Sequence, residues 1–335
     1  MDKDIYIDLH IHLDGAITVE IAKRLAAIQN MELPADDDRE LEKLLSVPAD
    51  CRSLNDFLKC FALPLSLLQT EEGIAEAVRL VQENIRSQGV VYAEIRFAPQ
   101  LHTEQGMTQR TVVQAALKGL EQSELPCSLI LCCMRGEGNR TANLETVELA
   151  REFLREGNGV TALDLAGAEA VYPTKDYMDI FKLAKSYGIP FTIHAGEAAG
   201  PESVGCAVEM GAGRIGHGVR IYQDKKMMEL IREKGISLEM CPTSNRQTKA
   251  VEDMRRYPLK KYLDMGIQVT VNTDDMAISG TTMPGEFRYI REQFGITEEQ
   301  QDRLFLNAAE AAFTDGETKK YLKSLIADQK GRVPL

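Results

Sequence analysis

The feature that most constrains this chain is a regular alternation of short apolar runs with helix-period segments along its length. Eight runs have the length and apolar, β-branched content of strands: residues 5–12, 90–98, 128–134, 160–165, 191–195, 214–217, 237–241 and 268–273. In the first, Ile5, Ile7, Leu9 and Ile11 fall on one face and Tyr6, Asp8, His10 and His12 on the other, the period of two that a pleated strand imposes. Between the runs, apolar residues recur at helical spacing. Ile74, Ala77, Val78, Val81 and Ile85 precede Gly89; Tyr177, Ile180, Phe181 and Ala184 precede Gly188 and Pro190; Met227, Leu230 and Ile231 precede Gly235. Thr297 and Gln300 form a capping-box pair ahead of Leu304, Phe305, Ala308 and Ala312. Strands alternating with helices are parallel and joined by right-handed crossovers, and eight such units predict an α/β fold, a (β/α)8 TIM-type barrel. An open doubly wound sheet is the alternative.

No Pro-, Ser- or Gly-rich linker interrupts the pattern, so residues 1–335 read as a single domain with additional helices after the first strand. Residues 30–50, which include the acidic run Glu32-Leu33-Pro34-Ala35-Asp36-Asp37-Asp38, read as an aperiodic surface excursion. A content of 44% hydrophobic and 27% charged residues supports a large core and excludes disorder. No apolar run approaches the roughly 18 residues of a membrane helix. The acidic N-terminus has no signal-peptide apolar region. Seven scattered cysteines without a Cys-x-x-Cys pair predict reduced thiols and a cytoplasmic location. A net charge of −12 argues against nucleic acid as the main partner. Oligomeric state is not written in the pattern.

The chemistry-bearing residues gather at the expected carboxyl ends of strands, where barrel enzymes place their sites. The first strand ends His10-Ile11-His12 and runs into Leu13-Asp14-Gly15; the fifth ends His194-Ala195-Gly196-Glu197; the sixth Gly216-His217-Gly218; the eighth runs into Asp274-Asp275. Period two puts His10 and His12 on one face, about 7 Å apart along the strand, able to hold one cation or to serve as structural rings. His194 ends an apolar strand, where an imidazole needs a partner whether that partner is a metal or the core. Glu197 is either an acid turned toward the same space or a carboxylate at a helix start. His217 sits between two glycines that let backbone and substrate approach closely, and is either a site residue or a purely structural histidine. The adjacent carboxylates of Asp274 and Asp275 would diverge on a continuing strand, one toward a metal and one toward its water, or would cap a loop. Imidazoles plus a carboxylate suit zinc or iron(II) rather than calcium or magnesium. Taken together, these positions point to a metal-dependent hydrolase.

These motifs resemble the adenosine deaminase family of amidohydrolase-type barrels. The resemblance runs nearly end to end: residues 7–16, 91–99, Asp164-Leu165-Ala166-Gly167, His194-Ala195-Gly196-Glu197, Gly216-His217-Gly218, Cys241-Pro242-Thr243-Ser244-Asn245 and Asn272-Thr273-Asp274-Asp275. It implies one zinc ion per chain held by His10, His12, His194 and Asp274, and hydrolytic attack on C6 of a purine nucleoside with release of ammonia. It implies Glu197 as the acid that protonates N1, His217 as the residue orienting the water, and Asp275 as a hydrogen-bond partner of that water. It also implies Asp14 on the ribose and the Gly167 N–H on N3. Adenosine or 2′-deoxyadenosine would give inosine or 2′-deoxyinosine, a purine-salvage reaction. Asp14-Gly15-Ala16 resembles the nucleoside enzymes, and another 6-aminopurine such as adenine, a modified nucleoside or AMP is the alternative. A phosphoesterase that begins Asp-x-His-x-His and a non-catalytic binding barrel are further alternatives. The other zinc-deaminase class needs Pro-Cys-x-x-Cys, which this chain lacks. Ala168 and Met276 stand where many family members carry Asp and Pro, so pocket shape is expected to differ. Arg246 and Lys249 either meet a phosphate or belong to a solvated loop, and Phe57, Leu58 and Phe61 form either a lid or a packed helix.

Overall fold

The computed structural model describes residues 4–48, 51 and 53–331. All eight expected strands form: β1 (Tyr6–His12), β2 (Val90–Phe97), β3 (Cys127–Met134), β4 (Val160–Ala166), β5 (Thr192–Ala195), β6 (Arg214–His217), β7 (Ser237–Met240) and β8 (Val269–Val271). They pair in chain order and in parallel as two four-stranded arcs, β1 to β4 and β5 to β8. Both seams between the arcs are bonded. Leu163 bridges to Phe191, with the Leu163 N–H donating to Pro190 O at 3.0 Å. Ile11 bridges to Asp274: the Asp274 N–H donates to His10 O at 2.8 Å, and the His12 N–H donates to Asp274 O at 2.9 Å. The sheet therefore closes into a (β/α)8 barrel, and the open-sheet alternative fails.

Outward-facing Ile7 and Leu9 pack under Phe305, Ala308 and Ala309 of the helix Glu298–Ala311, whose Thr297/Gln300 capping box is present. Inside, the barrel departs from the usual layers of Val, Ile and Leu. Glu94, Arg96, Asp164, Arg214 and Glu239 point inward, fully buried, and satisfy one another. Arg96 donates to Asp164 and to Glu239, each at 2.9 Å, and to Leu9 O at 2.6 Å. Arg214 donates to Glu239 at 2.6 Å and to Glu94 at 2.5 Å. Buried ions of this kind persist only when paired and hydrogen-bonded.

The expected aperiodic excursion is corrected. It holds a helix, Asp38–Leu45, N-capped by Asp37, whose carboxylate accepts the N–H groups of Arg39 at 2.9 Å and Glu40 at 3.3 Å. The acidic run is thus a cap plus a first turn, and a single buried pair, Leu41 and Leu45, is too short a signal to show a period. Residues 49 and 50 lie outside the described residues. Leu54–Phe57, Leu58–Phe61 and Ala62–Ser66 form three short helical turns. Among the described residues no helix is long and apolar enough to cross a membrane.

Candidate metal centre and active site

His10 and His12 leave β1 on its inward face, and His194 rises beside them from β5. The Nε2 atoms of His10 and His194 are 3.1 Å apart, and those of His12 and His194 are 3.2 Å apart. Asp274 Oδ1 is 3.2 Å from His10 Nε2 and 3.4 Å from His12 Nε2. The far nitrogens face carboxylates. His10 Nδ1 lies 2.7 Å from Glu239 Oε2, and His194 Nδ1 lies 2.9 Å from Asp164 Oδ2, though out of line for a straight hydrogen bond. Burial works against ionising both carboxyls, yet Arg96 with Arg214 holds Glu239 well below the usual range, and His194 with Arg96 does the same for Asp164. A carboxylate on Nδ1 puts the ring proton there and leaves the Nε2 lone pair free. Burial also drives the His12 imidazole well below its ordinary range, so it is neutral. Lone pairs this close repel unless a cation lies between them, and edges of 3.1 to 3.4 Å suit metal bonds of about 2.0–2.2 Å. The residues fit a divalent transition metal. The space beside them is tight: a Cβ on Gly216 would sit 3.1 Å from His194 Cα and 3.2 Å from His10 Cε1.

Asp274 and Asp275 do not diverge along a strand. β8 has ended at Val271, and Asp274 adopts φ 63°, so both carboxylates line the same pocket. They titrate apart. Burial opposes the Asp274 charge, but His10, His217 and His12 hold it well below the usual range; burial, then Asp274, Asp14 and Glu197, push Asp275 well above it. The buried Oδ1 of Asp275 has no hydrogen-bond partner among the described residues. A side chain on Gly15 would collide with that carboxyl, which explains the Asp14-Gly15 pair.

Glu197 is buried and accepts the Thr248 hydroxyl at 2.9 Å, while its other oxygen lies 3.6 Å from His217 Nε2. Its backbone is set by a residue that sequence reasoning missed. Glu169 accepts the N–H groups of Gly196 at 2.8 Å, Glu197 at 3.1 Å, Ala198 at 2.7 Å and Ala199 at 3.0 Å, and the Ser203 hydroxyl at 2.5 Å. Also missed were Glu239 and Arg96 behind the histidines, and Asn245, whose amide nitrogen is 3.1 Å from His217 Nδ1. Asn245, Arg96 and Glu169 stand in or beside motifs already singled out; Glu239 had as its one signal a charge inside an apolar strand.

These groups open onto a cavity of about 280 Å³, close to the lower end of ligand-site volumes of roughly 300–1,000 Å³. Asp14, Gly167, Ala168, Glu197, His217 and Asp275 line it, and Leu54, Phe57, Leu58, Phe61 and Leu65 cover it on one side. Burial raises the Asp14 carboxyl to about 6. Met276 is buried outside this lining. Arg246 and Lys249 are exposed and absent from it, and Arg246 lies over the Tyr289 ring at 5.4 Å.

Barrel, strand-end histidines and the pocket they line together put the protein among the metal-dependent hydrolases of the amidohydrolase type. The family model described as adenosine deaminase matches residues 6–329. An adenosine deaminase of Haemophilus ducreyi is 46% identical over 334 residues, 98% of this chain and 96% of the relative. Among solved structures, an adenine deaminase from Arthrobacter aurescens is 26% identical with a TM-score of 0.88, covering 97% of this chain and 98% of that one. An amidohydrolase from Burkholderia ambifaria, solved with bound zinc, has a TM-score of 0.84 at 19% identity and shares the fold, covering 97% of this chain and 90% of that one. The chain belongs to the adenosine deaminase family. It is a hydrolase.

Proposed function

We propose that this enzyme hydrolyses adenosine and 2′-deoxyadenosine at C6, releasing ammonia and giving inosine or 2′-deoxyinosine, as a single-domain cytoplasmic enzyme of purine salvage. The observation that carries the reading is one small cavity in which the histidine–Asp274 cluster, Glu197 and Asp14 all meet. His10, His12, His194 and Asp274 would hold one zinc ion per chain, which supplies hydrolysis at neutral pH by acidifying a water toward a pKa of about 7. Glu197 delivers a proton to N1, with Thr248 fixing one of its oxygens. His217 orients the attacking water and Asp275 hydrogen-bonds it. The Gly167 N–H meets N3. Asp14 accepts from the ribose and disfavours a phosphate by its own charge, and the terminal nitrogens of Arg135, the one Lys or Arg among the described pocket-lining residues, are already bonded to Tyr172 O, Thr174 Oγ1 and His194 O. All seven cysteines are unpaired, which supports a reducing compartment.

The test is a substrate panel of adenosine, 2′-deoxyadenosine, adenine and AMP on metal-analysed protein, following ammonia and the 6-oxo product with a chelator control. The expected result is chelator-sensitive turnover of the nucleosides, at least about tenfold above adenine or AMP in kcat/KM. A preference for adenine or AMP would overturn the nucleoside assignment.

A further inference from the structure

His217 sits close enough to the cluster to pass for a metal ligand: a ligand atom on each of His10, His194, His217 and Asp274 lies within 4.8 Å of the others. Its far nitrogen says otherwise. His10 and His194 present Nδ1 to carboxylates, which can only accept. His217 presents Nδ1 to the Asn245 side-chain amide at 3.1 Å. The orientation of that amide is set by its oxygen, which accepts the Tyr257 hydroxyl at 2.8 Å and faces the Cys241 N–H at 3.4 Å. A backbone N–H can only donate, so the atom opposite it is Oδ1, and Nδ2 is turned to His217. An amide NH2 needs an acceptor. Nδ1 is therefore the unprotonated nitrogen and Nε2 carries the hydrogen.

We infer that Asn245 is a positioning residue that holds His217 in its Nε2–H tautomer, making His217 a hydrogen-bond donor to the reacting oxygen instead of a metal ligand. The Nε2–H then points toward Glu197 Oε2 at 3.6 Å and Asp274 Oδ2 at 4.0 Å, on the cavity side of the ring. A hydrogen on Nδ1 would face the amide hydrogens, so the tautomer that would leave Nε2 free to ligate is opposed by this contact. The helix Pro242–Gln247 carries Asn245, and it also leads to Thr248, the partner of Glu197. One short helix thus orients both groups. The inference rests on the deaminase reading for what His217 acts on, but not for its protonation.

The experiment uses Asn245→Asp, which preserves shape and leaves an acceptor for Tyr257 and Cys241 while offering His217 an acceptor where the parent offers a donor. Nitrogen-15 NMR of histidine-labelled, metal-loaded protein reads the tautomer, with His217→Gln used to identify its signals. The parent is expected to show His217 Nδ1 unprotonated and the variant to show it protonated. Adenosine turnover should lose at least about a hundredfold in kcat with KM within about threefold and metal content unchanged, since a wrong histidine tautomer in an intact site costs up to about 10⁴ elsewhere. Asn245→Ala, in which Nδ1 faces water, should fall between. A parent with protonated Nδ1 overturns the inference. So does a switched variant that keeps its kcat, or one that loses its metal. Should Asn245→Asp fail to fold, Asn245→Ala with parental kcat overturns it as well. If the parent leaves adenosine untouched, the proposed substrate falls while the nitrogen spectrum still decides the tautomer.

Discussion

His217 and Asp274 occupy the left-handed region, at φ 61° and 63°, where a residue with a Cβ is strained by roughly 1–3 kcal/mol. Each is held by what surrounds it. Asp274 exchanges two backbone hydrogen bonds with β1, and His217 is fixed by Asn245 on one side and by its bracketing glycines in the chain. The strain has a use: it turns a side chain that ordinary strand geometry would send elsewhere toward the mouth of the barrel. Glu197 is the residue whose chemistry can be isolated most cleanly. Glu197→Gln retains an oxygen for the Thr248 hydroxyl and removes the transferable proton. It should keep its metal and its nucleoside binding while kcat falls by about 10² to 10⁴. Metal analysis beside steady-state kinetics checks this, and a rate above a tenth of the parent's would remove Glu197 from the acid role.

Short elements carry the support. The turn after β5 is organised by Glu169, whose five acceptor contacts satisfy four consecutive amides that no helix bonds. Its ionised form is favoured against burial by the Ser203 hydroxyl, the Ala199 amide and Arg135. Glu169→Ala should lower kcat at least about tenfold without emptying the metal site, with partial recovery in Glu169→Gln, which keeps one acceptor oxygen; unaltered kcat in the alanine variant would show that the turn holds itself. The helix Met283–Phe294 supports the opposite wall through Glu286, which accepts the Thr243 N–H at 3.2 Å and the Thr281 hydroxyl at 2.7 Å. Burial raises its carboxyl from 4.5 to about 7. A carboxyl raised on folding contributes stability that is complete below its unfolded pKa and is lost as pH rises through the folded one. Stability from Glu286 should therefore decline between about pH 4.5 and 7. Glu286→Gln should be more stable than the parent at pH 8 by up to about 3 kcal/mol and near parity at pH 4.5, measured by denaturant unfolding. An equal effect at both pH values would contradict the assignment.

For the whole molecule, the decisive contacts are the two seams. The proposed metal ligands come from both arcs, His10 and His12 from the first, His194 from the second, and Asp274 from the seam beyond β8, so an ion held there would tie the arcs together. A ligand bound only by the folded state stabilises it by mass action. Chelation should lower Tm, and hydrogen exchange should quicken at the amides of His12 and Asp274 more than at those within the β2–β3 pairing; uniform quickening would mean that the metal does not guard the seam.

Much of this was legible in the chain because it is local. Period two in β1, helix periods closed by glycine, and the four strand-end motifs each depend on residues within one element, and neighbours in sequence must be neighbours in space. The unforeseen helix Asp38–Leu45 marks the limit of that signal, where one buried pair cannot show a period. What lies behind the motifs was decided by the tertiary structure alone. Arg96 meets Glu239 across 143 residues, Glu169 reaches the turn beyond His194 across about 27, and the Leu9 amide finds the side chain of Asn272 across 263. Closure and tautomers depend on such pairings. The reason is physical: a residue's own type says that a buried charge or imidazole needs a partner, but only the closed barrel brings partners from distant strands within hydrogen-bond reach.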